Sequence, residues 1–312
     1  MFERVHQTLI VPRSADGQRA DAAIARLTGL SRTTVGKLLR AGDITTHNRR
    51  VAKSDRLVNG DVIHIVMPPH EDTSVVVSDV VDGFDLVHCD DDIIVVDKPA
   101  GVAAHPSPGW KGPTVVGALA GAAVSVSTSG AAERQGIVHR LDVGTSGLMV
   151  VARTERAYSV LKRAFKQRMV EKVYHTVVQG LPDPVEGTIQ APIGRHPGHE
   201  WRFAVVDGGR DSVTHYEALE AFGRATLLEV HLETGRTHQI RVHFSAMHHP
   251  CCGDLTYGAD PTLSAALGLT RQWLHARRLG FTHPVTGQSM SFTSPYPQDL
   301  DYALDTLREG GP

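Results

Sequence analysis

Asp142 ends the run His139-Arg140-Leu141-Asp142 and is followed by Gly144-Thr145-Ser146-Gly147. A short acidic side chain between a strand and a glycine-bearing loop is held at a sheet edge, where catalytic groups often stand. Taken alone, an Asp in that setting also serves as a turn or helix cap. Two other residues offer chemistry. Val173, His175 and Val177 alternate with Tyr174, Thr176 and Val178, so a strand presents the Tyr174 ring on the face opposite Val173 and Val177. That ring can stack and its hydroxyl can move a proton, or it can be a half-buried strand aromatic. Farther on, Ile240, Phe244 and Met247 share one side of a helix. Arg241 is rotated about 100° from them, which leaves its guanidinium for a polar partner.

Other chemistries fit less well. The chain has 18 histidines, among them His238, His243, His248 and His249 beside Cys251 and Cys252, but no C-x-x-C or H-E-x-x-H spacing occurs and adjacent cysteines suit tetrahedral zinc poorly. No metal is expected. Gly144 and Gly147 fall short of a dinucleotide fingerprint and no Walker-type Gly-Lys-Thr/Ser is present, so no cofactor is expected. Ser146 near His139 lacks the G-x-S-x-G frame of a hydrolase.

The elements that must position these residues follow from periodicity. Ala22, Ile24, Ala25, Leu27 and Leu30 predict one short helix, and Ser31 caps a second with Val35, Leu38 and Leu39 on one face before Gly42 ends it. Asp43 to Arg50, a turn at Asn59-Gly60, and the alternation Val62, His64, Val66 predict a small sheet. Pro68 to Phe84 reads as a polar connection with one extended piece at Val75 to Val77. Ile93 to Val96 is a buried strand that turns at Lys98-Pro99-Ala100-Gly101, and Thr114 to Ala132 is a small-residue helix and loop. Val138 to Asp142 and Leu148 to Ala152 read as strands, and Thr154 caps a helix with Ala157, Leu161, Ala164 and Phe165 on one face. Thr226 to Leu232 is a further strand, Thr237 caps the Arg241 helix, and Leu279–Phe281 with Met290–Phe292 close as a hairpin.

The stretch Gly136-Ile137-Val138-His139-Arg140-Leu141-Asp142-Val143-Gly144-Thr145-Ser146-Gly147-Leu148-Met149-Val150-Val151-Ala152 resembles the catalytic motif of the RluA/RluC/RluD family of pseudouridine synthases. Further matching segments stand in order: Lys98-Pro99-Ala100-Gly101, His105-Pro106, Lys172-Val173-Tyr174, Gly235 to His243, Gly253-Asp254 with Tyr257-Gly258, and Leu274-His275-Ala276. The resemblance implies an isomerase that breaks the ribose C1′ to N1 bond of uridine, turns the base and joins C1′ to C5. It implies Asp142 as the catalytic carboxylate with Arg241 its cationic partner and Tyr174 stacking on the base. Arg140 would fill the space left by a flipped uridine, and His139, Thr145 and Leu274 would join it in binding substrate. A carboxylate beside an anomeric carbon acts as glycosidase carboxylates do. Three routes stay open: attack on C1′, addition at C6, and elimination to a glycal. Separately, Gly17 to Met67 resembles the S4 RNA-binding domain through Leu30 to Gly42, Asn48-Arg49-Arg50-Val51 and Asn59-Gly60-Asp61. That resemblance implies that Arg32, Lys37, Arg40, Arg49 and Arg50 face RNA phosphates.

The expected fold class is α+β, a pseudouridine synthase fold with a mixed, largely antiparallel central sheet plus a small α+β S4 domain. Its expected limits are an extension at 1–16, the S4 domain at 17–77, a linker at 78–85 and the catalytic domain at 86–312. The 312 residues exceed one typical domain of about 100–200, and 41% hydrophobic with 21% charged residues is ordinary for a globular protein. The net charge of −2 is awkward for a nucleic-acid binder. Distribution offsets this, since Arg153, Arg156, Lys162, Arg163, Lys166, Arg168 and Lys172 face only Glu155 and Glu171 in that stretch. The odd count of three cysteines draws no disulfide framework, and the charged start Met1 to His6 lacks a signal peptide's apolar run. The expected setting is cytoplasmic, without a membrane span. The expected state is a monomer acting on RNA, large-subunit ribosomal RNA or its assembly intermediates. A non-catalytic S4-containing RNA-binding or ribosome-assembly factor is the alternative.

Overall fold

A computed structural model describes residues 6–28, 32–47, 49–66, 81–107, 109–130 and 134–310. The chain divides into two compact units between Val75 and Val76.

The first unit contains β1 (His6–Ile10), α1 (Ala20–Thr28), α2 (Arg32–Ala41), β2 (Ile44–Thr46), β3 (Arg49–Arg50) and β4 (Val62–Val66), with an antiparallel sheet of order β1-β4-β2-β3. Ile24, Val35, Leu38 and Leu39 from the helices meet Ile44, Ile63 and Ile65 in one core. At the end of α2, Gly42 takes φ +80° and the Asp43 N–H donates to the Leu38 carbonyl at 3.0 Å, a Schellman ending. Two expectations are corrected. Within the expected extension, residues 6–16 join the first unit, because β1 pairs with β4 along its length and Val11 and Ala15 lie in the core. As an edge strand β1 buries neither face fully, so alternation gave no signal. In β4 the buried set is Ile63 and Ile65, one residue out of phase with Val62, His64 and Val66. The expected cap at Ser31, Asn48 and the extended piece at Val75 to Val77 lie outside the described residues.

The second unit runs β5 (Asp85–Cys89), β6 (Ile93–Lys98), α3 (Val115–Gly121), β7 (Ser146–Ala152), α4 (Glu155–Lys166), β8 (Glu171–Gln179), β9 (Glu186–Gln190), β10 (Ile193–His196), β11 (His199–Val205), β12 (Val213–Ala221), β13 (Ala225–Leu232), α5 (Gln239–Ala246), α6 (Pro261–Ala266), β14 (Leu274–Thr282), β15 (Ser289–Thr293) and α7 (Gln298–Arg308). Nine strands form one sheet in the order β5-β6-β7-β14-β8-β13-β12-β9, with β15 also on β14. Among the described strands of this sheet only β7 and β14 pair in parallel, so the sheet is mixed and largely antiparallel and the class is α+β. β10 and β11 make a separate two-stranded hairpin.

The central strands bury both faces, which explains their continuous apolar runs. Ile94, Val96, Met149 and Val151 pack toward Leu119 of α3 and Ile240 and Phe244 of α5. The alternate residues Ile93, Val95, Leu148 and Val150 pack toward Ala157 and Leu161 of α4. Thr154 accepts from the Ala157 N–H at 3.2 Å and caps α4. Gly147 permits the β7 to β14 pairing: it has φ +112°, and a Cβ there would lie 2.4 to 2.8 Å from Ala276 backbone atoms.

Three local expectations change. Val138 to Asp142 is irregular and the strand begins only at Ser146, because the Asp142 carbonyl is taken by the Thr145 N–H in a turn. Thr237 does not cap α5; His238 holds that place in the left-handed region at φ 57°. The strands β9 to β12 and the helix α7 add elements that the pattern reading did not assign. Among the described residues no helix is long and apolar enough to cross a membrane.

Candidate active site

Asp142 lines an open cleft of about 500 Å³, together with Arg140, Thr145, Tyr174, His238, Arg241 and Leu274 among others. The turn that carries it is tied down residue by residue. The Val143 carbonyl accepts from the Gly101 N–H at 2.8 Å and from Lys98 Nζ at 3.3 Å. Arg271 Nη1 donates to the Gly144 carbonyl at 3.0 Å, Gln272 Nε2 to Thr145 Oγ1 at 3.2 Å, and Ser146 Oγ lies 2.9 Å from His275 Nδ1. Such anchoring fixes a carboxylate before substrate arrives.

Lys98 is fully buried, and its ammonium also donates to the carbonyls of Val102 at 2.8 Å and Pro99 at 2.9 Å. Burial drives its pKa down to about 7, against the opposing pull of Asp142. Lys98→Met should therefore take the lysine's hydrogen bond from three carbonyls, of which Val143 keeps the Gly101 N–H, and cost about 2–3 kcal/mol of stability. Turnover measured well below Tm should fall by about tenfold or more as the Asp142 turn loosens; an unchanged Tm and rate would contradict this role.

Arg241 is brought to Asp142 but is held mainly by another residue. Its Nε donates to Asp254 Oδ2 at 2.6 Å and its Nη2 to Asp254 Oδ1 at 2.9 Å, leaving Nη1 3.4 Å from Asp142 Oδ2. Burial disfavours the guanidinium's charge, but Asp254 and then Asp142 outweigh it and raise the pKa. Asp254 is placed by Gly253, whose φ of +82° and whose would-be Cβ, 1.9 Å from the Arg271 carbonyl oxygen, admit no larger residue.

His238 Nε2 lies 3.9 Å from the same Asp142 oxygen, and its Nδ1 is 2.8 Å from the Tyr257 hydroxyl. Burial lowers its pKa, with Asp142 opposing, which favours a neutral imidazole in the cleft. Gln239 fastens the turn before α5: its Oε1 accepts from Thr234 Oγ1 at 2.8 Å and the Arg236 N–H at 3.0 Å, and its Nε2 donates to Val213 and Thr214. Tyr174 is 8% exposed on the α5 face of β8. Burial, and then the charge of Asp142, raise its pKa, so the hydroxyl stays protonated.

Of the residues assigned from sequence, Asp142, Tyr174, Arg241, Arg140, Thr145 and Leu274 meet at the cleft. His139 does not line it: its Nε2 accepts from the Val150 N–H at 3.0 Å and its ring stacks on Phe165 at 4.4 Å. Asp254, His238, Tyr257, Lys98 and Gln239 stand in the quoted motifs without an assigned role. The apolar side of α4 packs against the sheet face turned away from α5, its basic residues Arg156, Lys162, Arg163 and Lys166 are exposed, and Arg168 beyond it pairs with Glu233 at 2.5 Å. Of the other polar groups near α5, His243 meets Thr214 and Ala191, His249 meets Gln179, and burial pushes the thiols of Cys251 and Cys252 up to about 12.

His139 and His275 are both driven down to about 3, chiefly by burial. In the unfolded chain each titrates near 6.5, so below that pH the unfolded state binds more protons. The stability they permit is intact above about pH 6.5 and is lost progressively toward pH 3. Tm should fall on acidification from about pH 7.5 to 4, and His139→Gln should make the fall shallower. An unchanged slope would contradict the assignment.

The family model described as RNA pseudouridylate synthase matches residues 92–246. Over 98% of its length the chain is 58% identical to an RNA pseudouridine synthase of Mycobacterium bovis, 99% of which is covered. It is 40% identical to the ribosomal large subunit pseudouridine synthase D of Xanthomonas campestris over 96% of this chain and 92% of that one. Among solved structures, human RNA pseudouridylate synthase domain containing 1 aligns with a TM-score of 0.57 at 27% identity, over 74% of this chain and 96% of that one. These matches set aside the non-catalytic alternative, and the chain belongs to the RluA/RluD family of RNA pseudouridine synthases, isomerases of uridine in RNA.

Proposed function

We propose that this chain converts uridine in large-subunit ribosomal RNA to pseudouridine at the cleft around Asp142. The observation that carries the reading is the convergence of Asp142, Tyr174 and Arg241 on one cleft. The target class is supported by the ribosomal large subunit pseudouridine synthases D that this chain matches over nearly its whole length, in Xanthomonas campestris and Neisseria meningitidis serogroup B, the latter at 39% identity over 96% of this chain.

In the overall reaction the C1′ to N1 bond breaks, the C1′ to C5 bond forms, C5 loses a proton and N1 gains one. Asp142 is the carboxylate at the anomeric carbon in any of the three routes: attack on C1′, addition at C6, or elimination to a glycal. The Arg241 cation keeps Oδ2 engaged and leaves Oδ1 for the substrate. Tyr174, with its hydroxyl protonated, stacks on the uracil and donates a hydrogen bond; Leu274 and Thr145 shape the walls. The uridine must leave its helix to reach this depth, and Arg140, exposed at the cleft, fills the vacated stack.

The first unit is proposed as an S4 RNA-binding domain. Arg40, Arg49 and Arg50 are exposed there, Arg49 with Asp55 3.3 Å away; the side chains of Arg32 and Lys37 lie outside the described residues. These arginines would supply phosphate contacts without reading sequence. The test is to map pseudouridines in ribosomal RNA from cells lacking this chain. Loss of one or more sites in large-subunit RNA, restored by the wild-type gene and not by Asp142→Asn, is expected. An unaltered large-subunit map with a lost tRNA site would overturn the target.

A further inference from the structure

The hairpin of β10 and β11 is anchored beside the cleft by its own backbone. The Phe203 N–H donates to the Tyr257 hydroxyl at 3.2 Å, and the Phe203 ring stands edge-on to His238 at 5.7 Å. The Tyr257 ring carries two guanidinium groups: Arg241 Cζ at 4.8 Å and Arg202 Cζ, from the hairpin, at 5.4 Å. They differ in one respect. Arg241 is neutralised by Asp254, whereas Arg202 makes no hydrogen bond or ion pair among the described residues. Its Nε is shielded from solvent and unpartnered, and among the described residues its guanidinium meets the rings of Tyr257 and, at 5.7 Å, Trp201. A half-buried cation with an unmet donor favours an anion. Beside it Trp201 is 63% exposed, with His199 tilted against its ring at 6.0 Å.

An unpaired guanidinium next to an exposed indole, one ring away from Arg241, is the pairing of groups that holds unstacked RNA: a cation for the backbone and an aromatic face for a base. We propose that Arg202 and Trp201 form a nucleotide subsite beside the Asp142 cleft, Arg202 taking a phosphodiester that flanks the target uridine and Trp201 stacking on a neighbouring base. The inference rests on the Asp142 cleft being the uridine site. The base is out of its helix there, so its neighbours are partly unstacked and available to the indole.

The test uses the full chain and an unmodified large-subunit ribosomal RNA transcript, with filter binding over a range of KCl and turnover read on the same RNA. Arg202→Gln should weaken binding by about tenfold and lower the slope of log K against log salt by about 0.7, the increment for one single-strand phosphate. Trp201→Ala should weaken binding by about tenfold without changing that slope. Arg202→Lys should restore the slope, since it keeps the charge. For both weakened variants KM should rise while kcat stays within about twofold. Unchanged affinity in both Arg202→Gln and Trp201→Ala would overturn the subsite. So would a fall in kcat for Arg202→Gln at unchanged affinity and slope, which would mean that Arg202 acts only through Tyr257. The binding arms are repeated in the Asp142→Asn background, so that failure of the Asp142 reading, seen as retained turnover in that variant, is distinct from failure of this one.

Discussion

Asp142→Asn is expected to lower conversion of uridine by on the order of 10⁴ to 10⁶-fold, the scale set by removing a single group that acts at the reacting atoms. The change is nearly isosteric, and the turn is held by groups other than the carboxylate: Lys98 and Gly101 on Val143, Arg271 on Gly144 and Gln272 on Thr145. The fold should therefore persist, and affinity for RNA should change by less than about threefold, because the lost interaction belongs to the transition state. Single-turnover rate, filter binding and thermal melting on one preparation would separate these quantities. A variant that lost binding and activity together would place Asp142 in substrate capture instead.

Asp254→Ala is expected to have a large effect of a different kind. Asp254 is 2% exposed and Arg241 is 7% exposed, so removing the carboxylate leaves a buried guanidinium with its strongest partner gone. Breaking a buried pair from one side costs about 3–5 kcal/mol, and thermal melting should show the loss. Freed from Asp254, Arg241 is expected to collapse onto Asp142 and engage the carboxylate proposed to act on the substrate. A displacement of about 1 Å at such a site lowers turnover by about 10²-fold. Asp254→Asn, which keeps one acceptor oxygen, should retain more stability than Asp254→Ala while losing comparable activity. If Asp254→Ala melted and turned over as the wild type does, Arg241 would not depend on Asp254.

Much of this site was legible because it follows local pattern. The alternation around Tyr174 put its ring on the face that α5 covers, and the helical spacing of Ile240 and Phe244 left Arg241 free of the apolar core contacts they make. What could not be read is pairing through space. Asp254 lies 13 residues beyond Arg241 and Val143 lies 45 beyond Lys98, and no period links either pair. His139 adjoins Arg140 in sequence, yet the irregular path of that segment turns its ring into the core against Phe165. The edge strands β1 and β9 show alternate exposed and half-buried residues without a buried set, so hydrophobic alternation had nothing to report. In α7, Leu300, Ala303, Leu304 and Leu307 do recur at helical spacing, a signal that Pro295 and Pro297 just before it obscure.

The central claim is that one carboxylate, Asp142, carries the isomerisation. Joining C1′ to C5 must expel the hydrogen on C5, so release of tritium from ribosomal RNA carrying 5-tritiated uridine reads that step directly. Wild-type protein should release tritium in proportion to pseudouridine formed, and Asp142→Asn, bound to the same RNA, should release none above background. Release by Asp142→Asn at the wild-type rate would contradict the assignment.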